Sequence, residues 1–258
     1  MSVMPKIKLF GGIMQRILGY MRKAIQEFDL IENGDRIAVG ISGGKDSMIL
    51  LYGLHLLRRF IGIEYEIVGV TLDPQFGGKE TDYSKIEEFC KNIDVPYHII
   101  RTQIGQIVFD VREEENPCSL CARMRRGALH DAAKELNCNK IALGHHYDDV
   151  VETFMMNLFN EGRLGCFSPK SYLSRKDLWM IRPLVFAPEK DVKKASLKND
   201  IPIVKSVCPA DGHTSREDMK NFLDTHEKDS DAFKYRIFGA LRRSGIDGWG
   251  ITGKSNRK

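Results

Sequence analysis

A chain of 258 residues is long enough for one large domain with appended helices, and its 42% hydrophobic and 29% charged residues are typical of a globular protein. No stretch reaches the roughly 18 uninterrupted apolar residues of a membrane helix, and the N-terminal residues lack the apolar segment of a secretory signal. The net charge of +4 permits a nucleic-acid partner without demanding one. The missing membrane helix and secretory signal favour a cytoplasmic location and no membrane partner. Six cysteines are too few for a disulfide scaffold, so we expect them to be reduced thiols.

The chain divides into four regions by the spacing of its apolar residues. Residues 1–33 predict an N-terminal amphipathic helix. In residues 34–208 short apolar strands alternate with helices, which predicts an α/β domain with a parallel sheet covered on both faces. Residues 209–246 predict two helices, and residues 247–258, rich in glycine and basic side chains, predict a flexible tail.

Within the α/β region, each predicted strand is a short apolar run and each predicted helix follows a strand. The predicted strands are Arg36–Ile41, Tyr65–Leu72, Tyr97–Thr102 and Lys140–Leu143, with two more near Trp179–Leu184 and Ile203–Lys205. The predicted helices are Ser47–Phe60, Asp82–Ile93, Leu120–Leu136, Asp148–Phe159 and a lysine-rich helix from Pro188.

The most informative segment joins the first of these strands to its helix and reads Ser42-Gly-Gly-Lys-Asp-Ser47. Ligands of an open α/β sheet bind at the carboxyl ends of the strands. The glycines let the backbone approach an anion, and the N–H groups of a helix start favour negative charge. Lys45 and two serine hydroxyls add donors. We therefore predict a phosphate-binding loop, with an ordinary strand-to-helix turn as the alternative.

This loop does not match the Walker A motif, since Gly40 leaves only three residues before Gly44, and Asp46 follows Lys45 where Ser or Thr is required. The acidic residue favours a Mg²⁺-bridged triphosphate or a pyrophosphate leaving group over transfer of the γ-phosphoryl group.

Three cysteines form a candidate metal or sulfur site. Cys118 and Cys121 make a Cys-x-x-Cys pair, whose two thiolates can hold one metal centre, and Cys208 at a predicted strand end is the best third ligand. Three interpretations remain open at this point: a [4Fe–4S] cluster with one open iron, a Zn²⁺ site completed by His213, or a redox pair that carries persulfide sulfur. Cys90 and Cys138 are expected to be ordinary residues, and Cys166 is ambiguous.

Two acidic residues open the helix after the fourth strand, in the segment Gly144-His-His-Tyr-Asp148-Asp149. One carboxylate there could bind Mg²⁺ or accept a proton beside the phosphates, and Glu152 could extend the site. The alternative is helix capping, which suits Asp at a helix start. No role is assigned to His145 or His146.

Basic residues occur in three groups that are consistent with contacts to RNA phosphates, although most such charges are simply solvated. The groups are Arg123, Arg125 and Arg126; Arg182, Lys190, Lys193 and Lys194; and Lys234, Arg236, Arg242 and Arg243, with Tyr235 and Phe238 interleaved.

The hexapeptide Ser42–Ser47 resembles the PP-loop of the N-type ATP pyrophosphatases, which cleave ATP between the α- and β-phosphates. The order of PP-loop, Cys118-x-x-Cys121, Gly144-His-His-x-Asp148-Asp149 and the late Cys208 is similar to that of the TtcA/TtuA family of tRNA thiolases, and especially to its 2-thiocytidine branch. The resemblance covers about Asp35 to Cys208. It implies a PP-loop domain of the adenine nucleotide alpha hydrolase-like, Rossmann-like fold with an N-terminal helix and a C-terminal helical extension.

The resemblance also implies an activity: ATP adenylates the C2 carbonyl of a tRNA pyrimidine, expected to be a cytidine in the anticodon loop, and sulfur then replaces the oxygen to give 2-thiocytidine. It implies ATP, Mg²⁺ and a [4Fe–4S] cluster on Cys118, Cys121 and Cys208, with Zn²⁺ as the alternative metal. Implied partners are tRNA and a sulfur donor such as sulfide or a cysteine desulfurase, and a homodimer is possible. The catalytic residues predicted are Lys45, Asp46, Asp148 and Asp149. The residues predicted to bind ATP are Gly40, Ser42, Gly43, Gly44, Lys45, Asp46, Ser47, Leu72, Asp73 and Gly144. Those predicted to bind RNA are Arg123, Arg125, Arg126, Arg242 and Arg243.

Three rival functions stay open. One is 2-thiouridine synthesis by the same chemistry. A second is a PP-loop ligase similar to lysidine synthetase, in which an amine attacks the adenylate, although such chemistry needs no thiolates. A third is a non-enzymatic iron–sulfur or RNA-binding protein, against which the intact PP-loop argues. The context of Cys208, which reads Val207-Cys-Pro-Ala-Asp-Gly212, leaves the exact nucleoside open.

Overall fold

The computed structural model describes residues 12–111, 117–205, 208, 215–229 and 232–250. Within them the strands are β1 (Asp35–Gly40), β2 (Tyr65–Asp73), β3 (Tyr97–Arg101), β4 (Lys140–Ala142), β5 (Lys170–Leu173) and β6 (Leu178–Ile181). The helices are α1 (Gly12–Glu27), α2 (Lys45–Leu57), α3 (Ser84–Asn92), the single turn α4 (Ile104–Gln106), α5 (Pro117–Glu135), α6 (Tyr147–Asn160), α7 (Glu189–Lys198), α8 (Ser215–Asp229) and α9 (Phe233–Ser244).

The described strands form one sheet in the order β3-β2-β1-β4-β6-β5. All neighbouring pairs are parallel except β5 and β6, which pair antiparallel at one edge. The chain leaves β1 for β2 on one side and reaches β4 on the other, so the direction of winding reverses between β1 and β4. In an open α/β sheet this reversal creates a crevice at the carboxyl ends of the two strands, where the loops after β1 and β4 meet.

Both faces of the sheet are buried, as the unbroken apolar strands predicted. On one face, Ile37 and Val39 of β1 pack with the apolar residues of α1, α2 and α7. On the other face, Ala38 packs with Val68 of β2 and with Leu129 of α5. Because consecutive residues of a strand point to opposite faces, the central residues of β1, Ile37 to Val39, all have to be apolar. No described helix is both long enough and apolar enough to cross a membrane.

The predicted α/β fold with flanking helices is confirmed, with three local corrections. The strand predicted near Ile203–Lys205 is wrong: the segment has no strand partner among the described residues, and Val204 instead donates its N–H to the carbonyl oxygen of Gly43 at 3.0 Å. Strand β5 was not predicted, because four residues with partly exposed side chains give too short a pattern. The flexible tail predicted for residues 247–258 is wrong at its start, since Trp249 is fully buried and donates to the carbonyl of Phe167, and residues 251–258 lie outside the described residues.

Candidate active site

The loop after β1 is held by its own serine side chains. The hydroxyl of Ser47 accepts the N–H of Ser42 at 3.2 Å and donates to the carbonyl of Gly44 at 3.0 Å. The Ser42 and Ser47 hydroxyls are 3.2 Å apart, and the Ser42 hydroxyl also accepts the N–H of Gly44 at 3.3 Å. The serines therefore shape the loop in addition to being available as donors.

Gly43 needs to be glycine for two reasons. Its φ is +86°, a conformation that L-residues rarely adopt. A Cβ there would also lie 3.2 Å from both the Cβ and the carbonyl oxygen of Val204. The chain before Cys208 thus crosses directly over the loop, which is the role of the segment mispredicted as a strand.

The start of α2 lies immediately beyond. Gly44 is its N-cap residue, and having no side chain it cannot cap the first N–H groups of the helix. Those N–H groups carry the positive end of the helix dipole toward the crevice between β1 and β4. Backbone N–H groups in this position are a ready binding site for phosphate.

Lys45 contributes the positive charge of the loop and is held by two carboxylates. Its Nζ lies 3.0 Å from Asp46 Oδ2 and 3.0 Å from Glu189 Oε1. Burial lowers the pKa of Lys45, but the two carboxylates outweigh burial and leave the pKa above its usual value. Burial raises the pKa of Glu189, but hydrogen bonds from Lys220 and Lys45 bring it down to about 2. Lys45 is therefore a cation poised beside the loop, and Glu189 is its permanent anionic partner.

Asp46 has one carboxylate oxygen that the protein does not satisfy. Oδ1 is buried without a hydrogen-bond partner, and His146 Nε2 lies 3.8 Å away from it. Burial is the main reason why the pKa of Asp46 is raised. A buried, unpartnered carboxylate oxygen at a phosphate loop has the chemistry of a Mg²⁺ ligand.

The loop after β4 packs against the PP-loop backbone. A Cβ on Gly144 would lie 2.9 Å from the amide nitrogen of Ser47 and 3.0 Å from the carbonyl carbon of Asp46. These are backbone atoms that cannot move aside cheaply. Gly144 was predicted to bind ATP, and the structure gives it a packing role that brings the two loops together.

The acidic residues of this second loop are occupied by protein partners. His146 is the N-cap of α6 and forms a capping box with Asp149: the Asp149 N–H donates to His146 Nδ1, and the His146 N–H donates to Asp149 Oδ2. Asp149 Oδ1 also accepts Arg216 Nη1 at 2.9 Å. Since Nδ1 of His146 accepts, the neutral ring carries its proton on Nε2, the atom that faces Asp46.

Asp148 connects the loop to the C-terminal helices. Its Oδ2 accepts the backbone N–H of Glu189 at 2.7 Å, and its Oδ1 accepts Lys234 Nζ at 3.1 Å. Lys234 also donates to Asp224 at 2.6 Å. The structure thus shows the capping and bridging alternative for both aspartates, and their catalytic roles stay predictions. Glu189, Lys234 and Arg216 were not assigned to this site from the sequence, because only the fold brings α7, α8 and α9 here.

Two of the three predicted sulfur residues, Cys118 and Cys208, are near enough to Cys121 for their charges to raise its pKa. Cys118 is exposed in the first turn of α5, Cys121 is buried one turn later, and Cys208 is partly buried. Burial is the main cause of the raised pKa of Cys121, Arg125 opposes it, and the charges of Cys208 and Cys118 raise it further. Like charges act in this way only over a short range.

The other cysteines are structural, as expected for Cys90 and Cys138. Cys166 belongs with them: its thiol donates to the carbonyl of Val150 at 3.5 Å, and burial raises its pKa to about 12. No disulfide joins any of the six cysteines. Among the residues described, no group of three or more His, Cys, Asp or Glu side chains is already arranged around a metal position. His213, the fourth ligand of the zinc alternative, lies outside the described residues.

A cavity of about 330 Å³ opens beside the PP-loop at the ends of β1, β2 and β4. Its walls are mostly apolar, with Ser42 at the phosphate end and Arg125 and Arg126 of α5 along one side. Two histidines line it with buried ring nitrogens that have no hydrogen-bond partner, His130 Nε2 and His145 Nδ1. Burial and Arg182 lower the pKa of His145 to about 4, so its ring is neutral. The cavity can accept a flat, polar-edged ring next to a phosphate chain.

Of Leu72 and Asp73 at the end of β2, both predicted to bind ATP, only Leu72 lines this cavity. Asp73 is fully buried and closes the loop after β2, because it accepts the backbone N–H groups of Gln75 and Thr81. Its predicted ATP contact stays a prediction, and its shown role is to hold the loop.

The five arginines predicted to bind RNA have different surroundings. Arg125 and Arg126 line the cavity, whereas Arg123 and Arg243 are exposed. Arg242 pairs with Glu27 of α1 and its guanidinium lies 5.2 Å from the ring centre of Phe186. An RNA contact of Arg242 would therefore compete with an internal ion pair.

Comparison with known proteins agrees with this geometry. The PP-loop domain family matches residues 16–226. A tRNA-cytidine(32) 2-sulfurtransferase from Citrifermentans bemidjiense is 40% identical over 229 residues, covering 88% of this chain and 89% of the relative. The same-named protein from Syntrophotalea carbinolica is 39% identical over 232 residues, covering 89% of each chain.

A solved structure supports the same placement. It is the U34-tRNA thiolase NcsA from Methanococcus maripaludis with its [4Fe-4S] cluster, which matches with a TM-score of 0.72 and 27% identity over 88% of this chain and 77% of that chain. With the family match over most of the chain and relatives near 40% identity, the chain belongs to the PP-loop family, among the tRNA thiolases of the TtcA/TtuA group.

Proposed function

We propose that this protein is an ATP-dependent tRNA sulfurtransferase that adenylates the C2 carbonyl of a cytidine in the anticodon loop and exchanges its oxygen for sulfur. The observation that carries the proposal is the proximity of two unlike chemistries. The segment that leads to Cys208 is hydrogen-bonded to Gly43 of the PP-loop, and Cys208 and Cys118 act electrostatically on Cys121. A phosphate loop beside three thiols suits activation by ATP followed by attack of sulfur.

The loop after β1 would hold the phosphates of ATP. The N–H groups at the start of α2 and the ammonium of Lys45 face the charge that develops at the α-phosphate, and fixed donors of this kind are the larger part of such catalysis. The mostly apolar cavity lined by Leu72 and His145 would take the adenosine. Asp46 Oδ1 would hold Mg²⁺, which neutralises charge on the phosphates when bound.

The thiols fit an iron–sulfur cluster by their chemistry. Cys118, Cys121 and Cys208 offer three sulfur donors, one short of the four that close a cluster or a structural zinc site. They would hold a [4Fe–4S] cluster, as reported in the name of the NcsA structure. When bound, the cluster would hold the sulfur atom that is transferred to the tRNA base. Arg125, which acts on Cys121 by charge and hydrogen bond, favours the thiolate form that a cluster needs.

The bond changes balance with sulfide as the sulfur donor. The C2 oxygen of cytidine attacks the α-phosphorus of ATP, and the bond to pyrophosphate breaks. Hydrosulfide then adds to C2, the C2–O bond breaks, and AMP leaves with the former carbonyl oxygen. Loss of the sulfur-bound proton leaves the C=S group. No net oxidation occurs, so sulfide needs no reductant. A cysteine desulfurase would supply sulfur as persulfide and would require a thiol reductant.

The partners follow from this chemistry. tRNA is the substrate that the relatives' names give. A tRNA substrate also agrees with the cytoplasmic location predicted from the sequence. Whether the protein forms a homodimer stays a prediction.

The test is anaerobic reaction of the purified protein with ATP, Mg²⁺, sulfide and unmodified tRNA, followed by mass spectrometry of the nucleosides. We expect 2-thiocytidine and an equal amount of AMP. Because the NcsA match is to a U34-tRNA thiolase, 2-thiouridine is the second candidate product, and the same measurement separates them. Failure to form either thionucleoside or AMP would reject the proposed function.

The metal is tested separately. An anaerobically reconstituted cluster gives a brown protein, whereas the zinc alternative is colourless. Cys121→Ser and Cys208→Ser should lose the colour and the thiolation, while Cys166→Ser, matched in chemistry but buried away from the site, should keep both.

A further inference from the structure

A second, larger groove lies on the other side of Glu189 from the PP-loop. Its volume is about 780 Å³, and it is enclosed by α1, α7, α8 and α9 together with the start of α6. This volume is within the range of about 300–1,000 Å³ that ligand clefts occupy. None of the five arginines predicted to bind RNA lines it.

The charge of the groove is uneven. Lys220 and Lys234 at its base are paired with Glu189, Asp148 and Asp224. Two lysines thus face three carboxylates there, and Glu227 adds a fourth carboxylate to the lining, so the base of the groove carries net negative charge. At the rim, Lys190 and Lys193 of α7 are exposed, one helical turn apart, and Lys23 of α1 lies 4.7 Å above the ring of Phe186. The opening of the groove thus carries the positive charge.

Aromatic side chains alternate with these lysines. Tyr235 of α9 is 72% exposed and lines the groove, so its ring is accessible to a partner. Tyr20 and Tyr147 are partly buried along the walls, and Phe238 lies behind Tyr147 with ring centres 4.8 Å apart. An exposed ring beside lysines suits single-stranded RNA, since an unpaired base can stack on the ring while the lysines contact phosphates.

The groove is also connected to the reacting end of the molecule. Glu189 lines the groove, and its carboxylate bridges Lys220 on the groove side and Lys45 on the PP-loop side at 3.0 Å each. Asp148, which also lines the groove, bonds the backbone of Glu189. The groove is therefore separated from the phosphate loop only by the side chain of Glu189 and its two lysine partners.

We propose that this groove binds single-stranded RNA of the substrate next to the nucleotide that reacts, with Lys190 and Lys193 on its phosphates and Tyr235 stacked on a base. The inference rests on the proposed function, and it assigns the RNA surface to Lys190, Lys193 and Tyr235 instead of to the five predicted arginines.

The experiment compares two double charge reversals at exposed helix positions. Lys190→Glu with Lys193→Glu changes the rim, and Lys85→Glu with Lys91→Glu of α3 makes the same change in charge outside the groove. Fluorescence anisotropy with a labelled tRNA, at several salt concentrations, measures binding. We expect the rim variant to bind at least about ten-fold more weakly, and its slope of log affinity against log salt to fall by about 1.4 to 1.8. The control pair should change the affinity less than about three-fold.

A second pair tests stacking. Tyr235→Ala should weaken binding about five-fold or more, and Tyr235→Phe, which keeps the ring, should bind as the unaltered protein does. Circular dichroism melting shows that each variant is folded, and binding of an ATP analogue shows that the PP-loop is unaffected.

The outcomes separate the two proposals. If the unaltered protein thiolates tRNA and the rim and control variants bind it equally, the groove is not the RNA surface and the proposed function stands. If the rim variant loses affinity for poly-glutamate but not for tRNA, the groove binds an acidic protein and the inference is wrong. If the unaltered protein neither binds nor thiolates tRNA, both proposals fail.

Discussion

The loops after β1 and β4 lie side by side at the same edge of the sheet, yet they use their polar groups in opposite ways. In the PP-loop the serines and glycines fix the backbone, and the N–H groups at the start of α2, together with one oxygen of Asp46, are left for a ligand. In the loop after β4 the carboxylates bind groups of the protein itself: Asp149 forms the capping box and accepts from Arg216, and Asp148 accepts from Lys234. Two loops that are neighbours at a ligand crevice can therefore differ in how many of their polar groups are free to contact the ligand.

The largest effect that this comparison predicts is on Lys45. Lys45→Met removes the positive charge beside the phosphates, and loss of one such preorganised group lowers turnover by about 100- to 1,000-fold. Lys91→Met, at an exposed lysine in the last turn of α3, is the control and should change turnover less than two-fold. The rate of AMP formation with saturating tRNA measures both. A loss below ten-fold for Lys45→Met would mean that the loop works through its N–H groups alone.

The sequence alone was sufficient to predict the conformation of the loop after β1, but it was insufficient to predict the contacts of the loop after β4. Ser42–Ser47 is local: glycines, serines and a helix start within six residues determine its shape. Asp149 accepts from Arg216 of α8, 67 residues later in the chain, and Asp148 accepts from Lys234 of α9, 86 residues later. Likewise Val204 was read as a strand because its neighbours are β-branched, and only the fold shows that it covers Gly43. Local patterns predicted the elements, whereas partners remote in the chain decided what their side chains do.

Glu152, one turn into α6, sharpens the comparison through pH. Burial and Asp149 raise its pKa from 4.5 to about 7, although Arg216 opposes them. A carboxyl whose pKa is higher in the folded than in the unfolded chain stabilises the folded protein while it is protonated, and this contribution disappears when the carboxyl ionises. Its contribution is therefore lost as pH rises from about 4.5 to about 7, by up to about 3 kcal/mol.

Glu152→Gln removes this titration. We expect the variant to be more stable than the parent at pH 8 and to show a flatter dependence of unfolding free energy on pH between 5 and 7, measured by urea denaturation. Glu161→Gln, exposed at the end of the same helix, should reproduce the parent's slope. An unchanged slope in Glu152→Gln would show that the Arg216 contact keeps the carboxylate ionised.

Gly144 tests whether the two loops must touch. Gly144→Ala places a Cβ 2.9 Å from the Ser47 nitrogen, so either the PP-loop or the β4 loop has to shift, at about 1–3 kcal/mol of stability. Gly19→Ala, whose Cβ meets nothing within 4 Å in α1, should instead stabilise by about 0.5–1 kcal/mol. Thermal unfolding measures both, and the KM for ATP should rise for Gly144→Ala alone. An unchanged KM would mean that the β4 loop yields instead of the phosphate loop.

Asp149 gives the smallest expected change in stability and the sharpest test of the comparison. Asp149→Ala removes its side of the capping box and the Arg216 contact, at about 0.5–2 kcal/mol, whereas Asp149→Asn keeps an acceptor and should lose less. Urea denaturation measures stability, and AMP formation by the folded variants measures turnover. If turnover follows stability in both variants, the carboxylate is a structural cap. If Asp149→Asn is folded and stable but loses turnover as Lys45→Met does, the charge of Asp149 acts in the reaction. The loop after β4 would then be reactive as well, because a group can hold a helix in the resting protein and still face the phosphates when ATP is bound.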